Sequence, residues 1–368
     1  MAANEGQGRR ILITGISRFL GTGLAAILER HPDVDLIVAV DRNGPVRELA
    51  RTDIIQSDLS HSLIRKLVRK LDIDTVVHAT MSGDTTRHNV RQLHDANVIG
   101  TMNVLAGCSG TDSPVRNVVM LSDTAIYGGG PKNPAFWAES MALPATPRTW
   151  YERDLREAER YVNDFRAMQP NTEVAILRFC EVVGPDSESL MTEYLALPAV
   201  PTMVGFDPVL QVLHQEDALD ALAKATLMPK SGLFNVAPHG VVPLSQIIEM
   251  MGKMALPIIP FAGQEVFVQT ALRLLRRQFP SHFLRLIQYG WAVDSHLWER
   301  TWGTRPQYTA LEAAALFSRQ YRTRKLQEEQ TPYVYEAQLE EFLRSKGRQH
   351  AKDVAKKELE HQGGSHRG

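Results

Sequence analysis

The sequence predicts an α/β fold, a doubly wound parallel sheet followed by a smaller C-terminal α/β substrate domain. Three observations carry the prediction. Strand-like and helix-like runs alternate roughly every 15–25 residues from residue 10 onward. The strand-like runs are continuously apolar, as in a sheet covered on both faces. The first of them, RILITG (10–15), enters a glycine turn that opens a helix.

The elements follow in order. LGTGLAAILERHP (20–32) is a helix stopped at Pro32, and VDLIVAVDR (34–42) is a second buried strand. ARTDIIQSDLS (50–60) supplies a short third strand that ends at Asp58. SLIRKLVRKLD (62–72) has apolar residues at 63, 64, 67, 68 and 71, a helical period. DTVVHAT (74–80) is a fourth strand, VRQLHDANVIGTMNVLAGCS (90–109) a helix and VRNVVMLSD (115–123) a fifth strand. Past residue 145 the pattern predicts a helix over 149–168, one strand over 173–185, a helix over 215–228, a short strand over 232–237 and an N-capped helix over 243–254. The stretch 266–290 is apolar and basic and is broken at Pro280.

Composition bounds the function. The chain has 368 residues, 43% hydrophobic and 23% charged, ordinary for a soluble globular protein. With 41 basic and 42 acidic residues its net charge is −1, so the whole chain makes no case for a nucleic-acid partner. Cys108 and Cys180 lie in apolar surroundings and read as buried, reduced thiols. No His/Cys spacing suits a metal, and none is expected. The N-terminus lacks an apolar signal core and no apolar run reaches the ~18 residues of a transmembrane segment, so a cytoplasmic location is expected.

The stretch TGISRFLG (14–21) carries the first functional signal. A strand, a glycine turn and a helix N-terminus together make an anion site, where backbone N–H groups and the helix dipole favour phosphate. Gly15 and Gly21 flank the turn, and Arg18 stands where such loops carry a middle glycine. Its guanidinium either clamps a pyrophosphate or points to solvent. Phe19 and Leu20 complete the loop. Asp41 ends the second strand and can accept both hydroxyls of an adenosine ribose, which favours NAD over NADP. Arg42 beside it weakens that preference. SDL (57–59) places Asp58 and Leu59 towards an adenine, and Ala79, Thr80 and Asn97 complete the expected cofactor side. The division expected is a flexible segment 1–9, a dinucleotide-binding domain 10–175 extended by strands from 176–240, an interleaved substrate-type domain over 180–320, and a charged, partly disordered extension 321–368.

From about residue 10 to 317 the chain resembles an extended short-chain dehydrogenase/reductase. The kind is the NAD-dependent epimerase/dehydratase typified by UDP-galactose 4-epimerase, with a Rossmann NAD domain. The motifs in register are TGISRFLG (14–21), SDL (57–59), DTVVHAT (74–80), NVIGTMNVL (97–105), LSDTAIYGG (121–129), LRFCEVVGP (177–185), VLHQEDALDA (212–221), GLFNVA (232–237) and WGTRP (302–306). RFLG with LQVLHQEDALDAL also resembles an actinobacterial subgroup in which arginine replaces the loop's middle glycine. The resemblance implies hydride transfer between a nucleotide-sugar carbon and NAD. A tyrosinate takes the hydroxyl proton, a lysine four residues on lowers its pKa, and a Ser or Thr hydroxyl holds the reacting oxygen. It also implies a homodimer through helices 90–109 and 149–168.

The chain departs from that pattern at the residues that carry the chemistry. In WYERDLREAERYV (150–162) Tyr151 matches the tyrosine, and Glu159 matches a later acidic position and sets the register. The lysine position is Leu155. A tyrosine pKa of about 10 leaves roughly one molecule in a thousand ionised at pH 7, and lowering it to about 7 takes around 4 kcal/mol that leucine cannot supply. Arg148 is a substitute only if the helix starts early. The hydroxyl position is Asp123, either a base or a turn cap, with Thr124 next to it. The asparagine that helps bind a nucleotide sugar is Glu181, and the arginine expected four residues before His214 is Leu210. Arg273, Arg276 or Arg277 either compensate or form a solvated basic face.

Two readings follow. In one, the protein binds NAD without the family's catalysis, or with weak activity. In the other, it is an active epimerase/dehydratase or oxidoreductase that uses Tyr151 or Asp123 on a nucleotide sugar or another small molecule. The segment 266–290 forms a wall of the substrate side or, on the alternative, a peripheral membrane or partner contact.

Overall fold

The computed structural model describes residues 8–86, 88–258 and 279–330, the side chains of 327–330 excepted. Residues through Ser318 belong to one compact unit, and Arg319 onward belongs to a second. The strands are β1 (Arg9–Thr14), β2 (Val34–Asp41), β3 (Thr52–Gln56), β4 (Thr75–His78), β5 (Asn117–Asp123), β6 (Glu173–Phe179), β7 (Glu181–Val183), β8 (Ala199–Met203), β9 (Val209–Leu210), β10 (Val212–His214), β11 (Gly232–Val236), β12 (Val242–Pro243) and β13 (Met254–Ile258). Seven of them form one parallel sheet in the order β11-β6-β5-β4-β1-β2-β3. That is the doubly wound sheet, with helices covering it.

The helices that build the site are α1 (Phe19–Leu28), α2 (His61–Lys70), α3 (Val90–His94), α4 (Gly100–Cys108) and α5 (Trp150–Met168). Ile11, Leu12 and Ile13 of β1 are all inaccessible, because helices cover both faces of the strand. One core cluster joins Val38, Val76 and Val118 of three strands to Ile64 of α2, Val104 of α4 and Val162 of α5. On α5 the buried positions 151, 155, 158, 162 and 165 recur at the helical period, and Thr149 caps its first turn by accepting from the Glu152 N–H at 3.2 Å. The expected helix 90–109 is interrupted by a π turn, Asp95–Ile99, which connects α3 to α4.

Two expectations are corrected. The run 173–185 is not one strand. It leaves the main sheet at Cys180, whose N–H donates to the Val236 carbonyl at 3.2 Å, and resumes as β7 paired with β10. The helix expected over 243–254 spans Leu244–Met250 and has no side-chain cap, because Pro243 occupies the capping position. Ser245 is bonded instead to Asp207. Of the basic stretch 266–290, residues 279–290 are described. They include the helix Ser281–Tyr289, whereas Arg273, Arg276 and Arg277 lie outside the described residues. Most of the extension 321–368 and residues 1–7 also lie outside them. Among the described residues, no helix is long and apolar enough to cross a membrane.

A buried ionic network locks α5 to the sheet. Arg178 of β6 donates to both Glu159 carboxylate oxygens, at 2.9 and 2.6 Å. Ser122 of β5 donates to Glu159 at 2.6 Å, and Arg178 also donates to the Tyr127 hydroxyl at 2.8 Å. Removing one partner strands the other charge in a low dielectric. Glu159→Ala is therefore expected to cost about 3–5 kcal/mol. The check is a lowered urea midpoint with an unchanged m value. Arg160→Ala, which removes the exposed partner of Glu157, is expected to change stability by less than about 0.5 kcal/mol.

Candidate functional site

The glycine loop sits at the C-terminal end of β1, where the sheet order reverses between β1 and β4. Both of its glycines are obligatory. Gly15 has φ +83°, and a Cβ there would lie 2.4 Å from the Ala79 carbonyl oxygen. A Cβ on Gly21 would lie 2.2 Å from the Gly15 oxygen. Arg18, by contrast, caps α1 with φ −99° and ψ 153°, a conformation open to any residue. The arginine therefore costs the loop nothing in backbone strain. Asp41 ties the loop to β2, accepting from the Ser17 N–H at 3.1 Å and the Ser17 hydroxyl at 2.7 Å.

A cleft of about 580 Å³ opens over this loop, lined by Gly15, Arg18, Asp41, Arg42, Asp58, Leu59 and Thr80. Arg42 and Asp58 form an ion pair at its rim, both largely exposed. These residues fit a dinucleotide's adenosine half. Glycines keep the turn tight, a carboxylate stands at the end of β2, and unhindered backbone opens a helix. Asn97 lies outside the cleft wall. It is fully buried in the π turn and holds the loop after β4, exchanging bonds of 3.0 and 2.8 Å with the Ser82 backbone.

Arg18 also walls a second cavity of about 210 Å³, together with Phe19, Leu20, Ala79, Asp123, Tyr151, Glu181 and His282. Here the Tyr151 hydroxyl donates to Asp123 Oδ2 at 3.1 Å. The other oxygen, Oδ1, accepts from the Ala125 N–H at 2.7 Å, so Asp123 caps the turn and faces the tyrosine at once. Burial pushes the Asp123 carboxyl up to about 6. Burial and the neighbouring Asp123 hold the Tyr151 hydroxyl well above 10, while Arg18 pulls in the opposite direction. Burial, reinforced by Asp123, pushes Glu181 up to about 8. Leu155 is fully buried one turn along α5, so it supplies no charge.

The remaining predicted residues fall outside this cavity. Thr124 turns away and accepts from the Trp291 indole N–H at 3.1 Å. Arg148 precedes α5 and donates to the Gly129 carbonyl at 2.8 Å. His214 caps the helix Gln215–Leu227 and packs edge-on against Tyr308, at 4.8 Å between ring centroids. Leu210 is fully buried. Sequence reasoning missed His282. Its ring packs on Tyr151, with centroids 4.6 Å apart, and a Cβ on Gly83 would lie 2.5 Å from it. Burial holds its imidazole down to about 3, so it is neutral. A lone histidine in an apolar helix gave no signal.

The sheet reversal, the glycine loop and the adjoining acid–tyrosine cavity define a fold of the dehydrogenase-like α/β class. The family model for the NAD dependent epimerase/dehydratase family matches residues 11–237. An uncharacterized protein of Mycobacterium tuberculosis is 33% identical over 315 residues, covering 82% of this chain and 81% of its own. The chain therefore belongs to the NAD-dependent epimerase/dehydratase family. Among solved structures, the fold is similar to UDP-glucose 4-epimerase of Thermotoga maritima with UDP-glucose, at TM-score 0.67 and 16% identity over 86% of this chain and 99% of that one. It is also similar to dTDP-glucose 4,6-dehydratase of Bacillus anthracis in complex with NAD, at TM-score 0.65 and 15% identity over 86% and 97%.

Two expected outcomes follow from this geometry. Gly21→Ala forces the loop backbone to shift, at about 1–3 kcal/mol, and thermal melts should show a lowered Tm. The second concerns pH. Asp123 and Glu181 titrate higher folded than their ordinary values of 3.8 and 4.5. The stability these two groups contribute is thus fully present below those values and is lost as pH rises through about 6 for Asp123 and about 8 for Glu181. Glu181→Gln should raise Tm by roughly 2–4 °C at about pH 9 and change it little at about pH 4.

Proposed function

We propose that this chain binds NAD in the cleft over the glycine loop and does not run the tyrosinate chemistry implied by its resemblance. One observation carries the reading. The Tyr151 hydroxyl donates to Asp123, and Leu155 stands where a cation would have to stand. Without a cation one turn along α5, and with burial and the Asp123 carboxylate outweighing Arg18, the tyrosine stays protonated at neutral pH. Asp41 favours NAD over NADP, because a carboxylate there repels a 2′-phosphate. The protein is then a non-catalytic or weakly active, NAD-stabilised member of the nucleotide-sugar epimerase/dehydratase class, working in the cytoplasm. A homodimer through 90–109 and 149–168 belongs to the same reading. Val90, Ile99 and Met102 leave apolar surface on that side, at 40, 40 and 39% exposed.

A second reading, oxidation of an alcohol, is favoured by the Asp123–Tyr151 hydrogen bond itself. When bound, NAD supplies the hydride acceptor. In this chain Tyr151 would take the substrate hydroxyl proton as it passes its own to Asp123.

NAD is expected to co-purify or to raise Tm on addition. UDP-glucose or dTDP-glucose should produce no NADH absorbance with the native chain. The double variant Asp123→Ser with Leu155→Lys should produce it. Native turnover that falls about 100-fold or more in Asp123→Asn would establish the second reading instead, and a chain that millimolar NAD does not stabilise would sink both.

A further inference from the structure

β4 ends in a buried histidine whose hydrogen bonds set the direction of a hydroxyl in the cleft over the glycine loop. His78 is 3% exposed, and burial holds its imidazole down to about 4, so it is neutral and carries one ring proton. Its side-chain partners are three threonines. The Thr14 hydroxyl lies 2.7 Å from Nδ1, and the Thr101 and Thr80 hydroxyls lie 2.9 and 3.1 Å from Nε2. Proton counting fixes the directions. Thr101 gives its single proton to the Asn97 carbonyl at 2.5 Å, so towards His78 it can only accept. The ring proton therefore sits on Nε2, and Nδ1 accepts from Thr14. A protonated Nε2 cannot accept, so Thr80 also receives from the ring and keeps its own proton. Among the described residues no group accepts that proton. Thr80 stands at the cleft wall with Gly15, Arg18 and Asp41. Its backbone nitrogen is 2.9 Å from where a Cβ on Gly15 would sit, so it faces the turn that opens α1, where backbone N–H groups favour phosphate.

We infer that the Thr80 hydroxyl donates its proton to a diphosphate oxygen of the bound dinucleotide, and that His78 is the positioning residue that makes it a donor. The inference rests on the NAD reading of this cleft. His78 touches no ligand. Its Nε2–H occupies a lone pair of Thr80 and turns the hydroxyl proton away from the protein. The ring is held in turn from both sides, by Thr14 on β1 and by Thr101 on α4. Thr101 ends on Asn97, which is itself tied to the Ser82 backbone. The donor in the cleft is thus preorganised by the sheet and the π turn, and binding need not order it.

The test is calorimetric titration of the full chain with NAD and with ADP, each variant checked for folding by its melt. Thr80→Val keeps the side chain's shape and removes the hydroxyl, so affinity for both ligands should fall about tenfold or more. Thr80→Ser restores the donor and should stay within about threefold of the native chain. His78→Leu should weaken NAD about fivefold in the native background and no further in the Thr80→Val background. A merely structural role for His78 would weaken both backgrounds alike. Nitrogen-15 spectra of the native chain supply a readout that needs no variant, and they should show the His78 proton on Nε2. Unchanged affinity in Thr80→Val, a loss with NAD that is absent with ADP, a His78→Leu loss that adds to that of Thr80→Val, or a proton on Nδ1 would each overturn the inference. The native titration separates the two proposals. A native chain that binds NAD no better than Thr80→Val does removes this inference alone. A native chain that binds neither ligand removes the NAD reading, and this inference with it.

Discussion

The buried Glu159–Arg178 pair is the constraint on which the site's geometry depends. Glu159 is two turns beyond Tyr151 on α5, and Arg178 is on β6 beside the strand that ends in Asp123. Ser122, the neighbour of Asp123, donates to the same carboxylate. The helix with the tyrosine and the strand with the aspartate are thus tied to one ion pair. Such a pair tolerates burial only when its remaining donors and acceptors are satisfied. Here they are. Arg178 reaches the Tyr127 hydroxyl, Tyr127 donates to Asn235 Oδ1 at 2.8 Å, and the Asn235 amide donates to the Trp137 and Asp294 carbonyls. The network crosses β5, β6, β11 and α5, so none of these can slide without breaking a charge-assisted bond.

On that rigid floor the two halves of the cleft differ in character. The cleft over the glycine loop has a solvated rim, where Arg42 and Asp58 are exposed and worth little to stability. The cavity beside it holds Asp123, Tyr151 and Glu181, and among the described residues of its lining Arg18 is the one cation. Desolvation raises every acid there in the same direction, and the carboxyls reinforce one another. Arg18 stands at the junction and lines both. The loop position that gave up its glycine thus places the cavity's charge, at no cost in backbone strain.

What the sequence made legible was local. The strand–loop–helix at 10–28, Asp41 at the end of β2, and the Tyr151, Leu155 and Glu159 spacing are all visible because a period or a turn signal places them. The features it hid are long-range. Nothing in LRFCEVVGP shows that the strand changes sheets at Cys180, since β7 finds its partner in β10, about thirty residues later in the chain. The π turn that buries Asn97 adds one residue to a helix whose apolar period looks regular. His282 reaches Tyr151 across more than a hundred residues, and only Gly83 leaves it room. Thr124 follows Asp123 directly, yet the turn that Asp123 caps sends the threonine to Trp291. Sequence distance one and spatial distance are unrelated at such a turn.

The changes at 123 and 155 are not independent. Removing a cation near a tyrosine raises its pKa, and placing a carboxylate within hydrogen-bond reach raises it further. Either change alone would weaken a tyrosinate. Together they make the phenol a committed donor, with Asp123 Oδ2 as its acceptor. Reversing one of them is then insufficient. A lysine at 155 beside an unchanged Asp123 would pair with the carboxylate before it could stabilise a phenolate, because the carboxylate ionises first, at about 6. A serine at 123 beside an unchanged Leu155 would leave the phenol buried without any charge to favour its ionised form. The site is therefore a coupled pair in an alternative resting state, with the proton on the tyrosine and the negative charge on the aspartate.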